Sequence, residues 1–390
     1  MKIIAVIPAR GGSKGIPKKN IQIIAGKPLI AWSILALKKS KKVDRIIIST
    51  DNKEIAGISK KYGSEVISRP DNISDDTASS ESAIIHVLEF LQKTESYVPD
   101  IVLFVQCTSP LIITEDVNGI IDKMLNENAD SAFTAIEFNH FLWEKDNTGL
   151  LKEINHNKEN RLPRQKLNPT YLEVGLIYAF KTDIFLKKKF RFAGKQTVYL
   201  IPKIRSLEID DYDDFSLAEV LLVRQKLRKD INLIPDKIEA IILDFDGIFT
   251  DNNVIIDQNG IESVVCNRSD GMGIAKLKGL IKNIIVLSTE KNEVLLRRTE
   301  KLGLKTFYGI DNKKDFLIEY LRKNNINIDN VIYLGNDIND QACMEMVGCS
   351  ITVSDAYEKI LNIADIVLNK KGGKGALREL FEIINHREGV

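Results

Sequence analysis

Two carboxylates one residue apart, Asp244 and Asp246, open the segment DFDGIFTD (244–251) directly after the apolar run Ala240-Ile241-Ile242-Leu243. Such a run reads as a buried parallel strand, and open α/β sheets place active sites at strand carboxyl ends. Facing a phosphate there, one carboxylate can attack phosphorus while the other handles a proton. The chain begins with a second arrangement of this kind. The strand-like run Ile3-Ile4-Ala5-Val6-Ile7-Pro8 leads into the basic, glycine-rich turn ARGGSKGIPKKN (9–20). Its glycines let backbone N–H groups approach an anion closely, and Arg10, Lys14 and Lys19 add positive charge against a polyphosphate. The turn matches neither GxxxxGK[ST] nor GxGxxG, which argues against a Walker-type or dinucleotide site. Two phosphate-handling turns point to two catalytic domains on one polypeptide.

A chain of 390 residues exceeds one ordinary core, so two domains are the natural division. Apolar residues make up 44% and charged residues 28%, ordinary values for a globular protein. Lys and Arg number 55 against 54 Asp and Glu, a net charge of +1. That balance argues against a broad nucleic-acid or anionic-membrane surface and leaves only local basic clusters. No apolar stretch approaches the ~20 residues that span a bilayer, and the N-terminus lacks an apolar signal region, so a cytoplasmic protein is expected. The four cysteines, Cys107, Cys266, Cys343 and Cys349, show no metal-type spacing and read as small core-filling residues.

The first half alternates short β-branched runs (3–8, 45–50, 101–106, 131–136) with helical patterns at 29–39, 52–62, 79–93 and 115–126. This rhythm implies a mostly parallel, doubly wound sheet. A polar stretch, 139–168, reads as an inserted loop or small flap, followed by a strand at 174–180 and a closing helix at 213–229. The proline-bearing segment 230–236 marks the boundary, giving domains 1–230 and 236–390. The pattern then restarts with strands at 240–245, 284–288 and 331–335, and helices at 271–279, 291–302 and 313–323. Trp32 and Trp143 read as packing residues, His86 as structural, and His140, His156 and His386 as surface.

Several motifs now fall in order: IPARGGSKGIPKKNI (7–21), STD (49–51), RP (69–70), DDTASS (75–80), QCTSPL (106–111), PRQ (163–165) and SLEID (206–210). Together, over about residues 1–228, they resemble the CMP-sialic acid synthetases, or N-acylneuraminate cytidylyltransferases. The related CMP-KDO synthetases are less alike in the basic turn. The resemblance implies that the anomeric hydroxyl of a nine-carbon 2-keto sugar acid attacks the α-phosphate of CTP, releasing pyrophosphate. It places Arg10, Gly12, Ser13 and Lys14 on the triphosphate, with Lys19 and Asn20 nearby. Arg69 and Ser80 would line the nucleotide pocket, and Gln106, Arg164 and Gln165 would face the sugar. Glu208 and Asp210 would bind Mg²⁺ through hard oxygens, Glu208 replacing the family's usual aspartate. Ile112 stands where many members carry arginine, and Val174 where many carry asparagine. Both departures weigh against N-acetylneuraminic acid itself as the sugar.

DFDGIFTD resembles motif I of the haloacid-dehalogenase (HAD) phosphatases, and the likeness extends to about residue 390. It implies Asp244 as the nucleophile and Asp246 as the acid–base, with Ser288 and Lys313 on the phosphoryl group. YLGNDIND (333–340) would complete a Mg²⁺ site with Asp244 and Asp246 through Asn336, Asp337 or Asp340. Asn336 departs from the usual aspartate and offers a neutral oxygen. Short spacing between the first two motifs leaves no room for a large cap. NRSDGMGI (267–274) and KGGKGALRE (371–379) are similar to the capless KDO 8-phosphate phosphatases, in which tetramer packing replaces the cap and Lys374 and Arg378 would reach toward a neighbour. The implied protein is α/β throughout: a nucleotidyltransferase Rossmann-like domain, then a capless HAD-like domain. It would be bifunctional and homotetrameric, with CTP and a sugar acid or its phosphate as partners, and with neither nucleic acid nor membrane. The alternatives are a monofunctional synthetase whose second domain is a tetramerisation module, or an equivalent in the KDO pathway.

Overall fold

The computed structural model describes residues 1–13, 15–74, 78–162 and 168–388. It divides into two compact units, Met1–Arg224 and Gln225–Val390.

The first unit holds strands β1 (Ile3–Pro8), β2 (Arg45–Thr50), β3 (Glu65–Ser68), β4 (Ile101–Val105), β5 (Ser131–Glu137), β6 (Tyr171–Lys181) and β7 (Gln196–Leu200). They form a seven-stranded sheet in the order β7-β5-β6-β4-β1-β2-β3. Only β6 runs antiparallel to its neighbours. β4 is buried along its whole length and β1 all but at Pro8, as parallel strands covered on both faces must be. The helices are α1 (Leu29–Lys38), α2 (Lys53–Lys61), α3 (Ser80–Glu95), α4 (Thr114–Asn126) and α5 (Thr182–Lys188). Asn52 starts α2 by accepting from the Glu54 and Ile55 N–H groups, and Ser79 starts α3 by accepting from Ser82. From β1 the chain moves outward to β2 and β3, then returns to β4 on the other side. The carboxyl ends of β1 and β4 therefore flank a topological switch point, where such sheets open a crevice.

Within the stretch expected to be a loop or small flap, Trp143–Lys145 pairs antiparallel with Leu151–Glu153. Trp143 is largely exposed rather than packed in a core. His156 is half-buried: its ring lies 4.7 Å from Phe141 and 4.9 Å from Trp143, with both nitrogens shielded from solvent. Helix α6 (Tyr212–Leu233) begins by giving Ala218 and Leu222 to an apolar cluster with Ile16, Leu111 and Ile209. Its last turns give Leu227, Ile231 and Leu233 to the core of the second unit.

The second unit has strands β8 (Ala240–Leu243), β9 (Ile284–Leu287), β10 (Lys305–Phe307), β11 (Val331–Leu334), β12 (Cys349–Thr352) and β13 (Ile366–Val367). Their order is β10-β9-β8-β11-β12-β13, all parallel. Around them lie α7 (Arg268–Leu280), α8 (Val294–Leu302), α9 (Lys313–Lys323), α10 (Ile338–Met344), α11 (Glu358–Ile363) and α12 (Ala376–Glu388). β8 and β11 flank the switch point here. Between β8 and β9 stand only the small hairpin Ile255–Ile256 with Glu262–Ser263 and helix α7, so no cap domain intervenes. The two motifs around 267–274 and 371–379 meet each other. Buried Asp270 of α7 accepts from the Gly375 and Leu377 N–H groups at 3.1 and 2.8 Å, capping α12. Gly273 makes the approach possible, since a Cβ there would lie 2.5 Å from the Leu377 carbonyl.

Candidate active sites

At the β1–β4 crevice the basic turn is held by its own polar groups. The Gly11 N–H donates to Asp51 Oδ1 at 2.9 Å, and Asn20 Nδ2 donates to the Arg10 carbonyl at 2.9 Å. Lys19 Nζ donates to the Ile209 carbonyl at 2.6 Å and lies 3.9 Å from Asp210 Oδ1. Gly15 rests against the Asp210 carbonyl, where a Cβ would come to 2.4 Å. These contacts tie the turn to the 206–210 segment. Ile209 there is buried and its N–H donates to the Thr108 carbonyl, while Glu208 is half-buried and Asp210 is exposed. Glu208 Oε1 accepts from Thr108 Oγ1 at 3.1 Å and from Gln106 Nε2 at 3.4 Å. Gly175 packs beside them, and a Cβ there would fall 1.9 Å from Gln106 Oε1 and displace that amide.

Arg69 is buried directly after β3 and its side chain reaches across to β2, with Nη2 donating to the Ser49 carbonyl at 2.6 Å and Nε to Ser49 Oγ at 3.1 Å. Burial pulls its pKa down and Asp51 opposes, while nearby Arg10 lowers it further. Ser80 is the first residue of α3, next to Glu81, whose ion pair with Arg191 is 2.6 Å long. Arg191 also stacks on Phe104 and Tyr178 at 4.6 and 4.7 Å. Gly12 is exposed and Ser13 half-buried. Lys14, Arg164 and Gln165 lie outside the described residues. Ile112 and Val174 both sit in the apolar core of this unit, so their side chains fill packing space.

At the β8–β11 crevice the charges are buried together. Lys313, the first residue of α9, donates to Asp244 Oδ1 at 2.9 Å and to Asp340 Oδ1 at 2.8 Å. The Tyr333 hydroxyl donates to the same Asp340 oxygen at 2.7 Å. Asp340 Oδ2 accepts from the Asn336 N–H at 2.9 Å and the Asp337 N–H at 3.3 Å. Both Asp340 oxygens are thus engaged by protein donors, which makes it the hub of the motif. Burial works against the Lys313 ammonium, but Asp244 and Asp340 outweigh it and raise its pKa. Burial and then the Asp340 charge push Asp244 up, with Lys313 pulling the other way. Burial also lifts Asp246 above the usual carboxylate range, partly offset by the Thr250 hydroxyl.

A cavity of about 230 Å³ opens here, lined by Asp244, Asp246, Ser288, Asn336 and Asp337 among others. Asn336 Oδ1 is buried without a hydrogen-bond partner. The Asp337 side chain accepts from the Ile338 N–H at 2.7 Å as the N-cap of α10. Ser288 Oγ accepts from the Glu290 N–H at 3.0 Å. Lys374 pairs within this chain with Asp251 of DFDGIFTD at 3.1 Å, and Arg378 with Glu382 at 3.1 Å. Three contributors escaped the sequence pattern: Arg191, Cys107, and Arg205, whose Nη2 lies 2.6 Å from Asp116 Oδ1. Each acts across a long sequence separation that local spacing does not encode, whereas Tyr333 bonds Asp340 only seven residues on, inside the 333–340 motif.

Comparison with known proteins finds a family match in each half of the chain. The cytidylyltransferase family matches residues 4–227, and the haloacid dehalogenase-like hydrolase family matches residues 307–380. N-acylneuraminate cytidylyltransferase A of Danio rerio is 30% identical over 388 residues, covering 98% of this chain and 88% of that protein. Pseudaminic acid cytidylyltransferase of Campylobacter jejuni is 33% identical over 227 residues, covering 57% of this chain and 96% of its own length. Among solved structures, the cobalt-bound deoxy-D-mannose-octulosonate 8-phosphate phosphatase of Haemophilus influenzae is 31% identical, with a TM-score of 0.38, over 42% of this chain and 92% of its own. No helix among the described residues is long and apolar enough to cross a membrane. The chain belongs to the cytidylyltransferase family, and a haloacid dehalogenase-like hydrolase domain follows on the same polypeptide.

Proposed function

We propose that the first unit joins a nine-carbon 2-keto sugar acid to CTP, and that the second is a Mg²⁺-dependent phosphatase that frees such an acid from its phosphate ester. The phosphatase half rests on one observation, the buried Asp244–Lys313–Asp340 trio opening on a pocket that Asp246, Ser288 and Asn336 also line. The relatives support the sugar class, since they are cytidylyltransferases of N-acylneuraminate and pseudaminic acid.

In the transferase, the anomeric oxygen attacks the α-phosphorus of CTP, the bond to the bridging oxygen breaks, and pyrophosphate leaves. Arg10, Gly12, Ser13 and Lys14 receive the triphosphate, Arg69 and Ser80 flank the nucleotide, and Gln106, Arg164 and Gln165 face the sugar. Glu208 and Asp210 present the hard oxygens a divalent cation prefers. Positioning and charge neutralisation supply most of the rate in such chemistry.

In the phosphatase, Asp244 attacks phosphorus while Asp246 gives its proton to the departing alkoxide. Asp246 then takes a proton from the water that attacks the aspartyl-phosphate, releasing phosphate. Burial raises the Asp246 carboxyl, the direction that favours an acid role. Lys313 and Ser288 hold the phosphoryl oxygens. The unpartnered Asn336 oxygen, with Asp244 and Asp246 along the same pocket, fits a hard cation, with Asp337 at the rim. Mg²⁺ bound there would neutralise the phosphoryl charge during transfer.

The alternative in which the second unit only assembles the protein is favoured by Asn336, which removes one charge from the metal site. The exposed side chains Ile255, Ile256, Ile261 and Val265 give either version an apolar surface for a homotetramer. A panel of nonulosonic acids, KDO included, with CTP and Mg²⁺ tests the first half through pyrophosphate release. The matching phosphate esters test the second through inorganic phosphate. Pyrophosphate from none of the acids overturns the first half, and phosphate from none of the esters overturns the second.

A further inference from the structure

β5 and β6 fall out of step partway along their pairing. Glu173 of β6 faces Ala135 of β5 and Tyr178 faces Phe133, so the four residues 174–177 stand against Thr134 alone. All four are buried, and backbone groups that lose ladder partners in such a place need others. The Thr134 hydroxyl, itself fully buried, supplies them. Its oxygen accepts from the Ile177 N–H at 3.1 Å, and its proton can serve the Val174 carbonyl at 2.7 Å or the Ile177 carbonyl at 3.1 Å. On its other edge the bulge still meets β4, where Ile177 pairs with Val105 and the Gln106 N–H donates to the Leu176 carbonyl at 3.4 Å.

The bulge is also where β6 touches the candidate sugar site. Gly175 lies within it, and a Cβ there would fall 1.9 Å from Gln106 Oε1 and 3.2 Å from Glu208 Oε2. Glu208 has its own anchor in Thr108 Oγ1 at 3.1 Å, whereas its bond from Gln106 is the longer one at 3.4 Å. The backbone path of 174–177 therefore governs Gln106 more than it governs Glu208.

We infer that Thr134 is a positioning residue: its hydroxyl fixes the β6 bulge so that Gly175 leaves the Gln106 amide room to meet the sugar acid. This rests on the proposal that Gln106 faces the sugar. Thr134 is too deep to touch a substrate and acts through the backbone it staples. Bulges beside active sites commonly re-aim a side chain in this way.

The test is steady-state pyrophosphate release by the full chain with CTP, Mg²⁺ and the fastest acid among N-acetylneuraminic acid, pseudaminic acid and KDO. Thr134→Val keeps the shape and removes the hydroxyl. It should raise the KM for the sugar acid about tenfold and leave the KM for CTP within about twofold, whereas general loosening would move both. Thr134→Ser, which keeps the hydroxyl, should recover most of the loss. In a Gln106→Ala background the valine change should add nothing to the sugar-acid KM, because both act through one side chain. An unchanged sugar-acid KM in the folded valine variant, an equal rise in both constants, a serine variant as poor as the valine one, or additive losses with Gln106→Ala would each overturn the inference. If thermal unfolding shows that Thr134→Val is not folded, Thr134→Ser and Gly175→Ala decide. The alanine leaves the hydroxyl alone and crowds Gln106 directly, so it should raise the sugar-acid KM by itself while the serine variant stays near wild type, and any other pairing overturns the inference. A wild type that releases no pyrophosphate from any of the acids fails at the transferase proposal itself, and the inference falls with it.

Discussion

At the β1–β4 crevice the Asp210 side chain is 81% exposed, Gly12 is open to solvent, and Lys19 is anchored to a backbone carbonyl. At the β8–β11 crevice Asp244, Lys313 and Asp340 have at most 7% of their side chains exposed, and they are paired with one another. Both sites occupy a switch point of a parallel sheet, so topology does not explain the contrast. The proposed chemistries do. A nucleoside triphosphate brings several charges and its own counterion, so a site built for it needs positioned donors more than stored charge. A carboxylate that must attack phosphorus covalently needs its surroundings fixed beforehand, in a place where water does not screen them. Burying an ion trio is costly, and it holds only while each member keeps its partners.

The largest effects should come from breaking each site separately. Asp244→Asn should reduce phosphate release to background and leave pyrophosphate release intact, because an amide cannot form the phosphoenzyme. Asp210→Ala should do the reverse with little change in stability, as its side chain is exposed. Parallel assays of both products on both variants check this, and loss of both activities in either variant would erase the distinction.

Lys313→Met should next expose the cost of stored charge. It leaves two buried carboxylates facing each other, which should destabilise the second unit by about 3–5 kcal/mol in urea unfolding. A change under ~1 kcal/mol would mean that the trio is not held as described.

Much of this contrast was legible in the residues. The apolar runs of β1, β4, β8 and β11 announced buried parallel strands, and the turns after them hold the candidate site residues. Strands β3, β7 and β10 were missed because edge strands alternate with polar residues and lack a continuous apolar run. The hairpin formed by Trp143–Lys145 and Leu151–Glu153 was hidden by its polarity. Cys107 was taken for core filling: it is buried, as a filler would be, but its thiol also bonds Asn20, 87 residues away in sequence. His156 was assigned to the surface, where it lies half-buried, and sequence could not foresee its ring contacts with Phe141 and Trp143.

A smaller effect should sharpen the account of the second site. Asn336→Asp adds a negative charge where an amide oxygen now lies unpaired, so Mg²⁺ should bind more tightly. Magnesium should then raise the melting temperature more in the variant than in the wild type, and half-maximal phosphate release should need less metal. Equal responses would remove residue 336 from the metal site.

The smallest effect belongs to Asp116, buried beside Arg205 at the start of α4. Burial pushes its carboxyl from 3.8 up to about 6, with Arg205 pulling the other way. Between these values the folded chain holds a proton that the unfolded chain has lost. Stability should therefore fall as pH rises from about 4 to about 6. Asp116→Asn should flatten that slope in denaturant titrations, and an unchanged slope would assign it to other groups.

The central claim is that one chain frees a sugar acid from its phosphate and then activates it. Phosphorus NMR of the wild-type protein, given a nonulosonic acid phosphate, CTP and Mg²⁺, reads both steps at once. Inorganic phosphate should appear first, followed by CMP-sugar and pyrophosphate in equal amounts. If the free acid yields CMP-sugar while its phosphate ester remains untouched even at high Mg²⁺, the second unit is not a phosphatase for this acid and the claim fails.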